Sequence, residues 1–457
     1  MRAIDILGLT DIILAPFYAM VIIIIGRMQQ KAKMETDPSY RYYLPALSLK
    51  LLGGLGVCLV YTLYYNGGDT TNFFEDAVRL NKIFFRTPEG YLYLMTHPAS
   101  GIDFSLYDNE TGYPIYIRDN SAFFVVKFTS IFVMLGMRSY IATTFLIVWI
   151  SFFGVWKLYR MFTDAFPEIR KELAIAVFFV PSVFFWGSGI LKDTITFSTI
   201  GYLVSSYGMV FIKRKKVFLN VIVLMLSCYV IIAIKAYILL GMMPGLLLWF
   251  VMAYSEKISG TMKKALIVPI FFTLVFGFGF LIINLMQASL GEYTTDNLVY
   301  KAVETQKDLK ADYYQGNSFD IGEYDPTLSG ILKKAPIAIF TCIFRPALIE
   351  ANNIVMLVSA IENTFILYIT LRMLIRVRIF GVLKYFVKNS LLTFALVFSF
   401  FFAFSVGFST SNFGSLVRYK IPIIPFFVAS VYIIDFYNSE AKRKKTEKVE
   451  YFIPVGA

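Results

Sequence analysis

VFLNVIVLMLSCYVIIAIKAYILLGMMPGLLLWFVMA, residues 217–253, carries a single charge, Lys235, in a run that is otherwise almost wholly apolar. A helix rises about 1.5 Å per residue and a hydrocarbon core is about 30 Å thick, so about 20 apolar residues make one crossing. The run therefore reads as two membrane crossings, 217–234 and 236–253, meeting at Lys235. The same test, applied outward along the chain, places crossings at 8–26, 45–65, 140–157, 173–188, 193–212, 265–287, 353–371, 389–408 and 419–437. That makes about eleven in all.

Composition agrees with this reading. The chain is 57% hydrophobic, 18% aromatic and 16% charged, with a mean hydropathy of +0.65, whereas soluble domains are roughly half apolar and about a quarter charged. The apolar segments follow one another too closely for separate soluble domains. The expectation is an all-α, polytopic transmembrane helical bundle, one domain over 1–437, followed by a basic, solvated tail over 438–457. The stretch Ile12 to Gly26 has no small-residue cleavage site after it and reads as a retained anchor.

The net charge of +12 would suit nucleic acid if it lay on one patch, but the cations fall in short clusters between apolar spans. They are Arg27, Lys31, Lys33 and Arg41; Lys157, Arg160, Arg170 and Lys171; Lys213 to Lys216; Lys257, Lys263 and Lys264; Arg372, Arg376, Arg378, Lys384 and Lys388; and Lys442 to Lys445. With the crossings above, all six clusters reach one side. By the positive-inside rule that side is the cytoplasm, which places the chain in the cell inner (plasma) membrane with its N-terminus outside and its C-terminus inside. Nucleic acid is not an expected partner; membrane lipids are.

This parity holds if 121–137 and 335–350 do not cross. The first carries Lys127 within an apolar helix and suits an interfacial position; the second is short, flanked by Lys333 and Lys334 and broken by Pro336 and Pro346. Two hydrophilic loops, 66–120 and 288–334, then face outward and, with these segments, widen to 66–139 and 288–352. The first is acidic, holding Asp69, Glu75, Asp76, Glu89, Asp103, Asp108, Glu110 and Asp119. Loops of that length within a bundle are usually functional or disordered, and the interleaved aromatic residues favour order.

Cysteine and histidine chemistry is excluded early. Cys58, Cys228 and Cys342 are scattered in apolar segments and His97 is the only histidine, so neither a zinc site nor a disulfide framework is expected. There is likewise no P-loop or dinucleotide fingerprint, and no cofactor is expected.

Four polar interruptions remain as candidates for chemistry. In NGGDTTNFFEDA, residues 66–77, Gly67 and Gly68 permit a tight turn and Asp69 follows at the outer end of a crossing. There it suits a general base for an acceptor hydroxyl, or a ligand of a divalent cation; the plainer alternative is that Asp and Thr cap the next helix. In PSVFFWGSGILKDTITF, residues 181–197, Lys192 and Asp193 form an ionisable pair at a membrane boundary, functional unless Asp193 caps and Lys192 snorkels. FRPALIEANN, residues 344–353, with SAIEN, residues 359–363, brings Arg345, Glu350 and Glu362 in or beside hydrocarbon, where Glu362 needs a partner such as Arg345 or Lys235. SLVRYKIPIIPFF, residues 415–427, opens the last crossing with Arg418 and Lys420, and an arginine there suits a phosphate unless it merely snorkels.

In this order of features the chain resembles the GT-C superfamily of membrane glycosyltransferases, which use polyprenyl-phosphate-linked sugars. The likeness rests on GGDT with Asp69 after an early crossing, the segment 121–137 ending at Gly136, the crossing 140–160 ending KLYR, the later outward turn with Asp193, and Arg418 to Pro422 opening the terminal helix. It departs in an extra N-terminal crossing, a single acid where that family has a pair, and no soluble C-terminal domain. The resemblance implies glycosyl transfer at the outer membrane face from a polyprenyl-phosphate-linked sugar donor to a glycan or lipid acceptor, in cell-envelope glycan assembly. Asp69 and Asp193 would be the catalytic acids, and Lys192, Arg345, Glu350 and Arg418 would hold substrate. A surface-polysaccharide repeat-unit polymerase is an alternative on a similar bundle, and a transporter or flippase of a lipid-linked glycan is another.

Overall fold

The structure, a computed structural model, describes residues 3–255, 318–322, 330 and 333–451. Among these residues every regular element is helical, and β pairing is confined to an isolated bridge between Ser318 and Asn412. Seven helices are long and apolar enough to cross a membrane: Leu9–Met34, Pro38–Tyr64, Tyr140–Ala165, Lys192–Lys213, Val217–Tyr254, Ile354–Phe386 and Ser390–Ser409. The pair Phe413–Tyr419 and Ile424–Lys444, bent by 65°, makes an eighth if counted as one span.

Three places account for the difference from about eleven crossings. Segment 173–188 is divided between two short helices, Arg170–Phe178 and Pro181–Trp186. The cause is Pro181, which has no N–H to continue a ladder and holds Val180 extended, at φ −78° and ψ 123°. Segments 217–234 and 236–253 form one helical run, Val217–Ser255, in which Lys235 leaves helical geometry at φ −149° and ψ 71°. Segment 265–287 and most of the loop expected at 288–334 lie outside the described residues.

The helices are numbered here α1 (Leu9–Met34), α2 (Tyr43–Leu59, continued by a π turn Val60–Tyr64), α3 (Asp69–Arg86), α4 (Pro88–Thr96), α5 (Asn120–Leu135), α6 (Tyr140–Ala165), α7 (Arg170–Phe178), α8 (Pro181–Trp186), α9 (Lys192–Tyr207, continued by a π turn Gly208–Lys213), α10 (Val217–Ser255), α11 (Ala335–Phe344), α12 (Ile354–Phe386), α13 (Ser390–Ser409), α14 (Phe413–Tyr419) and α15 (Ile424–Tyr451). They fall into two compact units: Met1–Phe162 with Phe178–Leu239, and Thr163–Val177 with Leu240–Ala457.

In the first unit α1 turns Leu9, Ile12, Ile13, Phe17, Met20, Ile24 and Met28 outward, an apolar exterior that water would not tolerate and lipid does. Its first turn is anchored by the buried Asp11, which accepts hydrogen bonds from Ser139 Oγ (2.7 Å), the Ile141 N–H (2.9 Å) and the Gly8 N–H (3.0 Å). Where α6 meets α9, a Cβ on Gly201 would strike the carbonyl of Gly154; small residues are what let membrane helices approach this closely. The acidic loop after α2 is ordered. α3 is amphipathic, burying Phe73, Phe74, Ala77, Leu80 and Ile83 at helical spacing, and packs along α5, whose 16 residues fall short of a crossing.

The second unit is built on aromatic packing around α13, where Phe394, Phe398 and Phe402 are buried with Phe426 of α15, and Trp249 of α10 stacks on Phe394 at 5.3 Å. α12 divides its surface: Leu357, Ile361, Phe365, Tyr368, Leu371, Ile375 and Ile379 recur at three- and four-residue intervals on an outward stripe, while Ser359, Glu362 and Asn363 are buried. That is the pattern of a span with lipid on one side and a polar interior on the other.

Candidate functional site

In the first unit the sequence features converge on Asp69. The chain leaves the π turn of α2 through residues of positive φ, Asn66 (54°), Gly67 (124°) and Gly68 (136°), a path that glycine takes without steric cost. A Cβ on Gly68 would lie 2.9 Å from the Tyr61 ring, so the turn is pressed against that ring. The cap of α3 is made by Thr71, whose hydroxyl accepts from the Gly68 N–H (3.0 Å) and donates to the Gly68 carbonyl (2.9 Å). Asp69 is thus the first helical residue and half-buried. Its carboxylate has the Tyr116 hydroxyl at 3.5 Å. Next to it, Tyr140 donates to Thr70 Oγ1 at 2.7 Å.

Tyr116 reaches Asp69 because Asp76 holds its loop. Asp76 is fully buried one face-repeat along α3, and accepts the N–H groups of Ile115 and Tyr116, each at 2.9 Å, and a hydrogen bond from Arg79. Burial pushes the Asp76 carboxyl up, beyond what those N–H groups and Arg79 take back. The Tyr116 ring stacks on Phe73 at 4.6 Å. Sequence reading counted Asp76 among the acids of a loop; its spacing of seven from Asp69 was the signal that both share a helix face.

Lys192 and Asp193 do not act as a pair. Consecutive residues of a helix point about 100° apart, and these two find different partners. Lys192 donates to Asp119 (3.0 Å) and Ser121 Oγ (2.7 Å), tying α9 to the start of α5. Asp119 also caps α5 through the N–H groups of Ser121 and Ala122; burial raises its carboxyl, but these donors and Lys192 outweigh it and leave it below its ordinary value. Asp193 is buried and pairs with Lys235 at 2.5 Å, at the break in α10. A further charge escaped the sequence reading: Lys50, buried within α2, donates to the Gly187 carbonyl at the end of α8 and to Ser188 Oγ (3.3 Å). A lone lysine in the crossing 45–65 was its signal.

In the second unit, motifs separated in sequence come together. Arg345 pairs with Glu350 through two guanidinium nitrogens, and its guanidinium lies over the Phe319 and Phe413 rings at 5.2 and 5.3 Å. Glu350 also accepts the Ala347 N–H at 2.7 Å; against the opposing effect of burial, Arg345 and this N–H hold its carboxyl below its ordinary value. Lys420, fully buried at the bend between α14 and α15, donates to Asn363 Oδ1 (2.6 Å) and to the Arg345 carbonyl (3.4 Å), while Asn363 donates to the Pro346 carbonyl (3.0 Å). Lys420 is also electrostatically coupled to Glu362; of the two partners expected for Glu362, Arg345 pairs with Glu350 and Lys235 with Asp193. Arg418 lies half-buried in the last turn of α14.

Chemically, the first unit offers a half-buried carboxylate beside a phenol at the end of an apolar span, and the second a network of cations whose charges are largely matched. Among the described residues no three His, Cys, Asp or Glu side chains converge as a metal site. Compared with known protein families, with curated proteins and with solved structures, the chain matches none.

Proposed function

We propose that this multi-pass membrane protein is a glycosyltransferase that moves a sugar or oligosaccharide from a polyprenyl-phosphate-linked donor to a hydroxyl acceptor at the outer membrane face. The observation that carries the reading is Asp69, held half-buried by a Gly-Gly turn at the end of an apolar span with the Tyr116 hydroxyl at its carboxylate. In the reaction Asp69 takes the proton of the acceptor hydroxyl as that oxygen attacks the anomeric carbon. The bond from that carbon to the phosphate oxygen breaks, and the polyprenyl phosphate leaves with the electron pair. Lipid attachment of the donor suits a chain whose helices present apolar stripes to the bilayer.

The orientation that goes with this reading puts the Asp69 loop outside and the C-terminal tail in the cytoplasm. Counting α10 as two passes supports it: the run Val217–Tyr254 of 38 residues would span about 57 Å as one straight helix, nearly twice a hydrocarbon core of about 30 Å. Arg418 is a separate proposal, as a ligand of lipid-borne phosphate in the second unit; Arg345 and Lys192 are less suited to that task, because Glu350 and Asp119 already engage them.

The buried charges of the first unit, Lys50, Asp193 and Lys235, favour a second reading, a flippase or transporter of a lipid-linked glycan whose pathway they line. One substitution separates the two. A general base contributes roughly 10²-fold to 10⁴-fold, so Asp69→Asn lowers turnover by about that factor in a transfer assay on purified protein, while a flippase keeps its flux. Transfer by Asp69→Asn at the unsubstituted rate would remove Asp69 from the chemistry.

A further inference from the structure

The turn between α9 and α10 is Arg214 to Lys216, set between a span that ends at Lys213 and another that begins at Val217. So short a connection between two spans has to lie at the boundary of bilayer and water. Lys213, Arg214, Lys215 and Lys216 are all exposed there, and Phe218 (82% exposed) and Leu219 (58%) follow at once on the hydrocarbon side. The turn has a defined shape. Arg214 and Lys216 have positive φ, 51° and 48°, and the Asn220 amide donates to the Lys215 and Lys216 carbonyls at 3.2 and 3.0 Å.

A fifth cation comes from another element. Lys157 of α6 is exposed beside this turn, with its ammonium 5.7 Å from the centre of the Tyr202 ring of α9, and close enough to Lys216 for the two charges to repel. Like charges brought together from separate helices oppose folding. An anion between them would turn that repulsion into attraction.

We propose that Lys157 and the 213–216 turn form a binding site for the headgroup of an anionic phospholipid, whose acyl chains lie against Phe218 and Leu219. The glycosyl-transfer reading is not needed for it. Cations at the bilayer surface flanked by exposed apolar side chains match a ligand that joins a phosphate to a hydrocarbon chain, and each contributes about fivefold to attraction by an anionic leaflet.

The test is native mass spectrometry of the purified full chain in detergent, titrated with palmitoyl-oleoyl phosphatidylglycerol or with the corresponding phosphatidylcholine. The unsubstituted protein retains the glycerol lipid in preference to the choline lipid. Lys157→Gln, a single exposed change outside the turn, weakens that retention about fivefold. The triple variant Lys213→Gln, Lys215→Gln, Lys216→Gln weakens it about a hundredfold. The tail variant Lys442→Gln, Arg443→Gln, Lys444→Gln leaves it unchanged. Equal retention of the two lipids by the unsubstituted protein, or unaltered retention in Lys157→Gln, overturns the site. So does a loss in the tail variant as large as that in the turn variant.

Discussion

Asp193 and Lys235 show what a buried charge needs, which is a partner at contact distance. Removing one member of such a buried pair strands the other, at a cost of about 3 to 5 kcal/mol, whereas replacing both with apolar residues is about neutral. Lys235→Met should therefore lower the unfolding midpoint markedly, and Lys235→Met with Asp193→Leu should recover most of it. A double variant as unstable as the single one would mean that the pair does more than satisfy itself. Asp76 behaves differently, because it serves backbone groups. Asp76→Ala leaves the Ile115 and Tyr116 N–H groups without their acceptor, while Arg79 keeps Glu75, and should cost about 3 kcal/mol while also releasing Tyr116 from Asp69. Asp69→Asn should cost little stability, since the cap of α3 belongs to Thr71; the Asp69 phenotype is expected in turnover alone.

At the scale of elements, the first extramembrane helices are joined to the bundle by an ion pair with a predictable pH response. Asp119 has its carboxyl lowered in the folded protein, so the stability it contributes is fully present above its unfolded value, about 3.9, and is lost as the pH falls through its lower folded value. Protection from hydrogen exchange at the start of α5, taken relative to the intrinsic exchange rate at each pH, should fall below about pH 4 and be insensitive to pH from 5 to 8; in Asp119→Asn the low-pH loss of protection should vanish. Seven or eight of the expected spans were legible in the sequence as apolar helices of sufficient length, because lipid demands apolar residues on the outer face, which leaves a compositional trace. Lys235, as the single charge of the 217–253 run, marked the break there; the break before Pro181 in the 173–188 run was not legible, because a proline hardly changes the mean hydropathy. The partners of Lys192, Lys50 and Lys420 escaped for another reason: they come from elements 57 to 138 positions away in the chain, and no local pattern records such distances. Asp69 could be singled out because its glycine turn is local, while the phenol beside it is 47 positions distant.

At the scale of the whole molecule, the described residues form helices in every regular element and carry seven or eight apolar helices long enough for a bilayer, and the sequence has its cations in clusters between apolar segments. The proposed chemistry needs the Asp69 loop on the outer side. The count of passes between that loop and the C-terminal tail turns on the broken segment 173–188, on 265–287, which lies outside the described residues, and on whether α10 makes one pass or two. The distribution of cations supports two. Cysteine scanning in intact cells settles it, with a membrane-impermeant maleimide and the unsubstituted protein as the blank for Cys58, Cys228 and Cys342. Ser105 in the Asp69 loop, Ser318 and Ser439 are all exposed. Ser105→Cys and Ser318→Cys should label from outside, and Ser439→Cys only after the membrane is permeabilised. Labelling of Ser439→Cys in intact cells, or protection of Ser105→Cys, would place Asp69 on the wrong side of the membrane for the reaction proposed.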